Sequence, residues 1–272
     1  MKLKIFIVIV AVALAWFAGR QLKAKERGLF NGSRGDDVVQ GNAPSTRQIN
    51  QTLKLTGKAH VEVVNINGTV EVSEADGDTA EVHVTSNAGS GSDLDDHQII
   101  VEHTDSSLTV RGQGNNGFGL WRWLTGGGQV RHTVNLKVPR GGVLAAHGIN
   151  GKVNIGDLEG EVHVSGVNGR VEVGRATLAD VSGVNGGVTL TITELGDPGA
   201  SVNGINGGVE LRLGSDVNAD LEVNGLNGRV AVEAPNVEVQ EQKRSRVRAR
   251  IGKGGSNISV NGVNGGVRLV GV

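Results

Sequence analysis

One sentence of residues is written six times between Leu144 and Leu269, and this repetition constrains the fold more than any other feature of the chain. It reads LAAHGINGKVNI from Leu144, VHVSGVNGRVEV from Val162, DVSGVNGGVTL from Asp180, SVNGINGGVEL from Ser201, EVNGLNGRVAV from Glu222 and SVNGVNGGVRL from Ser259. A seventh copy, VEVVNINGTVEV, begins upstream at Val61. The copies align on Asn67, Asn150, Asn168, Asn185, Asn206, Asn227 and Asn264. Gly always follows this Asn, an apolar residue always precedes it, Val stands three positions on, and Val, Ile or Leu stands five positions on. The positions four and six before it are apolar as well.

Each copy is therefore a two-residue alternation, a kink and a second alternation. Period-two alternation with aliphatic inward places marks strands that bury one face. Asn-Gly supplies the positive φ that a tight turn needs, because Gly has no Cβ to clash and Asn tolerates the left-handed region. Asn-Gly between strands usually signals an antiparallel hairpin. The copy spacing argues for something else: successive Asn residues from Asn150 lie 18, 17, 21, 21 and 37 positions apart. Self-similarity at this period signals stacked units, each too small to bury its own apolar face. The fold class expected is all-β, a right-handed parallel β-solenoid with coils of about 17–21 residues, preceded by one N-terminal hydrophobic helix. The 37-residue step reads as two periods with a degenerate copy between. A hexapeptide left-handed helix would need a strict six-residue period, and the calcium-binding nonapeptide roll would need Asp after its turn, where this chain has Arg, Lys, Thr or Gly.

The chain begins with Lys2 and Lys4, an unbroken apolar run of fourteen residues from Ile5 to Ala18, and then Arg20, Lys23, Lys25 and Arg27. Such a segment, residues 1–27, reads as a signal peptide or a single-pass membrane anchor. Ala13 and Ala15 suit a cleavage site, while Trp16, Phe17 and the basic flank suit an uncleaved anchor. Either way, the body is expected outside the cytoplasm, in the cell envelope. Residues 28–47 lack an apolar period and read as a flexible linker, leaving 48–272 as the solenoid domain.

An insert, residues 73–142, separates the first two copies. Its strand-like stretches could continue the solenoid as degenerate coils, and 83 residues between Asn67 and Asn150 amount to about four coil lengths. Its Gly-rich loop at 112–128 holds Phe118, Trp121 and Trp123 in a chain with four Phe, three Trp and no Tyr. These aromatics are either a core plug or an exposed contact for a protein, glycan or lipid head group. Near 236–251, Arg246, Arg248 and Arg250 alternate with Val247, Ala249 and Ile251, which places three guanidinium groups on one outward face. That face is either simply solvated or an anion-binding surface. Nucleic acid is not the expected partner, because residues 31–272 carry 21 basic and 27 acidic residues.

Stacked coils put equivalent residues side by side, so catalysis has to be sought in columns. His163, Asp180 and Ser201 fall on successive coils, but a catalytic triad needs His between the nucleophile and the acid. Glu71, Glu172 and Glu210 share another column, separated by Asn154 and Thr189, so no carboxylate pair is stacked for glycoside cleavage. No His pair has metal-ligand spacing. The expectation is a protein that is not an enzyme, with no cofactor and no metal. The Asn column is expected to be structural, its amides hydrogen-bonding along the solenoid as Asn ladders do in stacked sheets.

VNINGTVEV near the start of the body, the repeated SGVNGRVEV units and the closing RVRARIGKGGSNISVNGVNGGVRL together resemble the bacterial adhesin-like family of β-strand repeats, the DUF4097 type grouped with toastrack domains. The resemblance covers about residues 48–270. It implies a right-handed β-solenoid, exported or membrane-tethered, and some relatives are encoded beside envelope-stress systems. It supplies no catalytic or binding residues, and this chain departs from the pattern in its Trp-containing loop. The function expected is a membrane-tethered adhesin or surface-binding module. The alternatives are an envelope-stress accessory or scaffold docking onto a membrane partner and, more remotely, a glycan-active enzyme on a β-helix.

Overall fold

The computed structural model describes residues 44–55, 58–89, 91–114, 130–197 and 199–272. β1 (Ser45–Lys54) comes first, starting inside the stretch expected to be linker. The upstream copy forms β2 (His60–Val64) and β3 (Asn67–Glu74). The insert holds β4 (Thr79–Ala88), a short helix α1 (Gly91–Asp96), β5 (His97–His103), β6 (Ser107–Gly114) and β7 (Arg131–Val138). Five copies follow as strand pairs: β8 (Val143–His147) with β9 (Asn150–Ile155), β10 (Glu161–Val167) with β11 (Val171–Val173), β12 (Leu178–Val184) with β13 (Val188–Ile192), β14 (Ala200–Ile205) with β15 (Val209–Leu213), and β16 (Ala219–Asn224) with β17 (Val230–Val232). β18 (Val237–Lys243) and β19 (Arg246–Ile251) precede the last copy, β20 (Ser256–Val263) and β21 (Val267–Gly271).

The protein is all-β, built on two long, parallel-rich sheets, and each copy gives one strand to each. The first sheet runs β1-β4-β7-β3-β9-β11-β13-β15-β21-β17; the second runs β18-β19-β16-β20-β14-β12-β10-β8-β2-β6-β5. Register places like on like: Val162 pairs with Leu144 and Ala179, and Val188 with Val171 and Val209. The apolar columns therefore meet between the sheets as one core, which includes Val63, Val153, Val164, Val202, Leu211, Ile258 and Leu269. The exceptions are informative. Val230 is only half-buried and Val232 is 37 % exposed, because β17 is the outermost strand of its sheet.

The corner between the sheets differs from the expected Asn-Gly turn. The left-handed residue is the Gly two places before the Asn, with φ between 60° and 67° at Gly148, Gly166, Gly183, Gly204, Gly225 and Gly262. Asn65, at φ 54°, takes that place in the first copy. The apolar residue between this Gly and the Asn, from Ile66 to Val263, is buried and fills the corner. The Gly after the Asn has a different task. It lies so close to the preceding coil that a Cβ on Gly186 would stand 2.0 Å from the carbonyl oxygen of Gly169.

Sequence order and spatial order part company at both ends. After β14–β15 the chain skips one place to lay down β16–β17, skips again to β18, and fills both gaps on its return. β19 enters antiparallel between β18 and β16, and β20–β21 enters parallel between β16–β17 and β14–β15. The stretch 236–251 is thus an antiparallel hairpin rather than a coil, and the 37-residue step joins adjacent coils in reverse spatial order. The other end works the same way. β4 and β5 go down outside β3 and β2, and β7 and β6 then fill the places between. The insert therefore supplies one coil, β6–β7, and antiparallel strands that cap the stack together with β1. Antiparallel capping strands keep the coil edges from being open templates for further pairing.

Candidate interaction surface

The Asn side chains project from the corner along the whole stack, exposed to solvent. Their amides form one continuous row in spatial order. Asn150 Nδ2 donates to Asn67 Oδ1 (3.0 Å), Asn168 to Asn150 (3.1 Å), Asn185 to Asn168 (3.0 Å), Asn206 to Asn185 (2.9 Å), Asn264 to Asn206 (2.9 Å) and Asn227 to Asn264 (2.9 Å). Asn67 closes the row by donating to the Val130 carbonyl at 2.7 Å. Parallel coils about 4.8 Å apart put each amide within reach of the next. A second, shorter row was not singled out from the sequence. Asn261 Nδ2 donates to Asn203 Oδ1 (3.0 Å) and Asn224 Nδ2 to Asn261 Oδ1 (3.3 Å). Its signal was present three places before the main Asn, where those copies carry Asn and earlier ones Ser165 and Ser182.

Arg246, Arg248 and Arg250 lie along β19, and carboxylates flank them on both sides. Glu222 on β16 accepts from Arg246 Nη2 at 2.5 Å and from Arg248 Nη2 at 3.3 Å. Glu241 on β18 stands 3.9 Å from Arg248, and Asp220 4.0 Å from Arg250. The Arg246 guanidinium beside Glu222 holds its carboxyl below the usual carboxylate range, and Lys243 does the same for Glu241. The guanidinium groups thus share one face with partners that offset their charge. Glu241 stands close in the sequence, whereas Glu222, 24 residues from Arg246, becomes its neighbour only through the return of β19.

His163, Asp180 and Ser201 do stand on adjacent strands, with Asp180 in the middle. His163 Nδ1 is 3.9 Å from Asp180, and Ser201 Oγ accepts from Asn203 Nδ2 at 2.5 Å. Asp180 separates the imidazole from the hydroxyl, so this column has no base positioned on a nucleophile. Among the described residues, no group of three or more His, Cys, Asp or Glu could hold a metal ion. Where the cap meets the coil β6–β7, His132 of β7 is buried and its Nδ1 lies 2.8 Å from Ser86 Oγ of β4. Burial pushes the His132 pKa down, and the neighbouring charge of His97 adds to this. Phe118, Trp121 and Trp123 lie outside the described residues, as does the apolar run Ile5–Ala18. Among the described residues, no helix is long and apolar enough to cross a membrane.

Fold and surface together define a repetitive all-β protein with two parallel-rich sheets, polar outer faces and a bonded Asn row at one corner. No family model and no curated protein matches the chain. Solved structures similar to it include a "putative cell adhesion protein" from Clostridium sporogenes, 14% identical, covering 84% of this chain and 100% of that one with a TM-score of 0.43. A "putative adhesin" from Bacteroides fragilis is 11% identical over 85% of this chain and 100% of its own, with a TM-score of 0.30. A "putative lipid binding protein" from Parabacteroides distasonis is 12% identical over 85% and 98%, with a TM-score of 0.26.

Proposed function

We propose that this chain is a non-enzymatic surface-binding module of the cell envelope, held at the membrane by its N-terminal segment, with a body that winds as a right-handed β-solenoid. The handedness follows the strong preference of crossovers between parallel strands of one sheet. The observation that carries the reading is the outer surface. Coils in strict register present polar side chains in straight columns at about 4.8 Å intervals, a form suited to contact with an extended or repetitive partner. Trp121 and Trp123 of the Gly-rich segment 112–128 are the proposed anchor for such contact, since Trp combines a large apolar face with a polar edge.

The test compares the full chain with a Trp121→Ala/Trp123→Ala variant for binding to phospholipid vesicles and to immobilised cell-envelope glycans. The expected result is binding by the parent and loss of binding by the variant, with melting curves that superimpose. If neither form binds and the full chain instead co-purifies with a membrane protein through its N-terminal segment, the scaffold or envelope-stress accessory reading replaces this one. Turnover of a glycan by the parent would overturn the non-enzymatic assignment.

A further inference from the structure

The coil β20–β21 occupies an interior slot in both sheets, although nearly all of the chain precedes it. Its Ile258, Val260, Val263, Val267 and Leu269 are buried against β14–β15 on one side and β16–β17 on the other. It joins β19 through Gly252, Lys253, Gly254 and Gly255, with φ of 57°, 79° and 145° at the three glycines. This crossing is held by Lys253 N–H donating to Asn218 Oδ1 at 2.7 Å and Gly255 N–H to Asp220 Oδ2 at 3.2 Å, bonds that exchange would have to break or re-form. The slot lies between strands that all precede its occupant in the chain.

The slot also has a chemical preference. Glu210 on β15 and Glu233, just beyond β17, both face it. Arg268 of the occupant donates to Glu233 at 2.9 and 2.6 Å and stands 3.8 Å from Glu210. Glu210 is already paired with Arg212 of its own strand at 2.8 Å, and the other six copies carry Glu71, Asn154, Glu172, Thr189, Glu210 and Ala231 at the Arg268 place, so only the 259–269 copy brings a cation from that place to Glu233. Copy 201–211 matches copy 259–269 at every position except Ile205/Val263 and Glu210/Arg268. Apolar fit alone would therefore admit either copy; the charge pair admits one.

We propose that β20–β21 exchanges between copies of this chain, so that the slot accepts the same coil from a second molecule. All contacts formed within one chain are available between two: the register with β14 and β16, the last links of the Asn row through Asn264, and the Arg268 pairs. Reciprocal exchange gives a closed dimer, whereas one-way donation leaves a slot open for a third copy and gives a growing chain. Stacked repeat folds are prone to this route because like segments compete for like places during folding.

The chain has no Cys, so introduced thiols report without interference. Ser201 and Ser259 are directly paired, half-buried and outward-facing. Their Cα atoms lie about 4.8 Å apart as neighbours in a parallel sheet, within the range a disulfide spans. Full chains carrying either Ser201→Cys or Ser259→Cys are mixed, unfolded, refolded together and oxidised. The expected result is a mixed disulfide in several-fold excess over a control mixture of Asp180→Cys and Ser201→Cys chains. The control residues are also paired, but on coils that keep sequence order. When each chain carries both Ser201→Cys and Ser259→Cys and is oxidised before mixing, the coil is fixed in its own slot, and the oligomers that the reduced form of the same chain gives on refolding should be absent by light scattering. Light scattering on tagged and untagged parent chains refolded together provides a readout free of substitutions. Equal disulfide yields in test and control mixtures, or a parent that stays monomeric throughout, would overturn the proposal.

Discussion

Gly186→Ala and Gly187→Ala add the same methyl group at adjacent positions and are expected to have opposite outcomes. A Cβ on Gly186 would lie 2.0 Å from the Gly169 carbonyl oxygen and 2.6 Å from its carbonyl carbon, backbone atoms that no side-chain rotation can move. Comfortable contact between such atoms is about 3.5 Å, so the coils would have to part locally by more than about 1 Å. Parting them weakens the bond from Asn185 N–H to the Val167 carbonyl (2.8 Å) and the Asn185 to Asn168 amide bond (3.0 Å). Overpacking of about 1–3 kcal/mol and about 1 kcal/mol for each weakened bond give a loss of about 3–5 kcal/mol. At about 2–4 °C per kcal/mol for a body of this size, the melting temperature should drop by roughly 6–20 °C. A Cβ on Gly187 meets nothing nearer than the Gly208 carbonyl oxygen at 3.8 Å, and other copies place Thr69, Lys152, Arg170 and Arg229 there. That variant should stay within about 0.5 kcal/mol of the parent. Thermal melts followed by far-ultraviolet circular dichroism read both. Equal melting temperatures for the two variants would refute the argument that close approach of the coil backbones, with a φ of 158° beside it, dictates the first Gly.

Two further perturbations probe other parts of the body. Val209→Asp places a carboxylate at a site only 2 % exposed, between Val188 and Val267, with no partner to receive it. A loss above about 4 kcal/mol is expected, and a denaturant midpoint unchanged from the parent would show that this column does not face the core. His132 tests the junction between the coil β6–β7 and the cap. Its pKa is depressed in the folded state, so its contribution to stability is present above the ordinary value of 6.5 and is lost as pH falls through the folded value. The parent should lose more melting temperature than His132→Gln on going from about pH 7.5 to about pH 5.5. Parallel slopes for the two proteins would assign the acid sensitivity to other groups.

Much of this architecture was legible in the residues. The columns that alternate toward the core, from Val61 to Leu269, are the ones that pack between the sheets, and the Asn residues that align in sequence stand side by side. Order along the stack was not legible, for a physical reason. Copies this alike accept one another as neighbours in any order, so the apolar columns specify register but not which coil lies next to which. What breaks the symmetry is charge, as in Glu210, Arg268 and Glu233, or Glu222 with Arg246 and Arg248. Such pairs can be recognised only once the neighbours are known. The need for Gly was legible, yet the left-handed turn residue is Gly183, at φ 60°, while Gly186 stands near extended backbone at φ 158° and is required chiefly by the closeness of the neighbouring coil. The surface was less legible than the core. The Arg row at Arg246, Arg248 and Arg250 stood out in sequence with Glu241 close by, whereas Glu222 and Asp220 reach it only because the return of the chain lays β19 beside β16.

Amide hydrogen exchange, resolved by segment on the full chain, tests the interleaved order most directly. A stack built in sequence order would fray from its last coil, since terminal elements open with the lowest free energies. The interleaved order predicts that β20 and β21 exchange as slowly as β12 to β15, while β17 and β18, which lie outside them, exchange earlier. If β20 and β21 lose protection before β16 to β19, the last copy does not sit in the interior slot and the account of how this chain closes its stack is wrong.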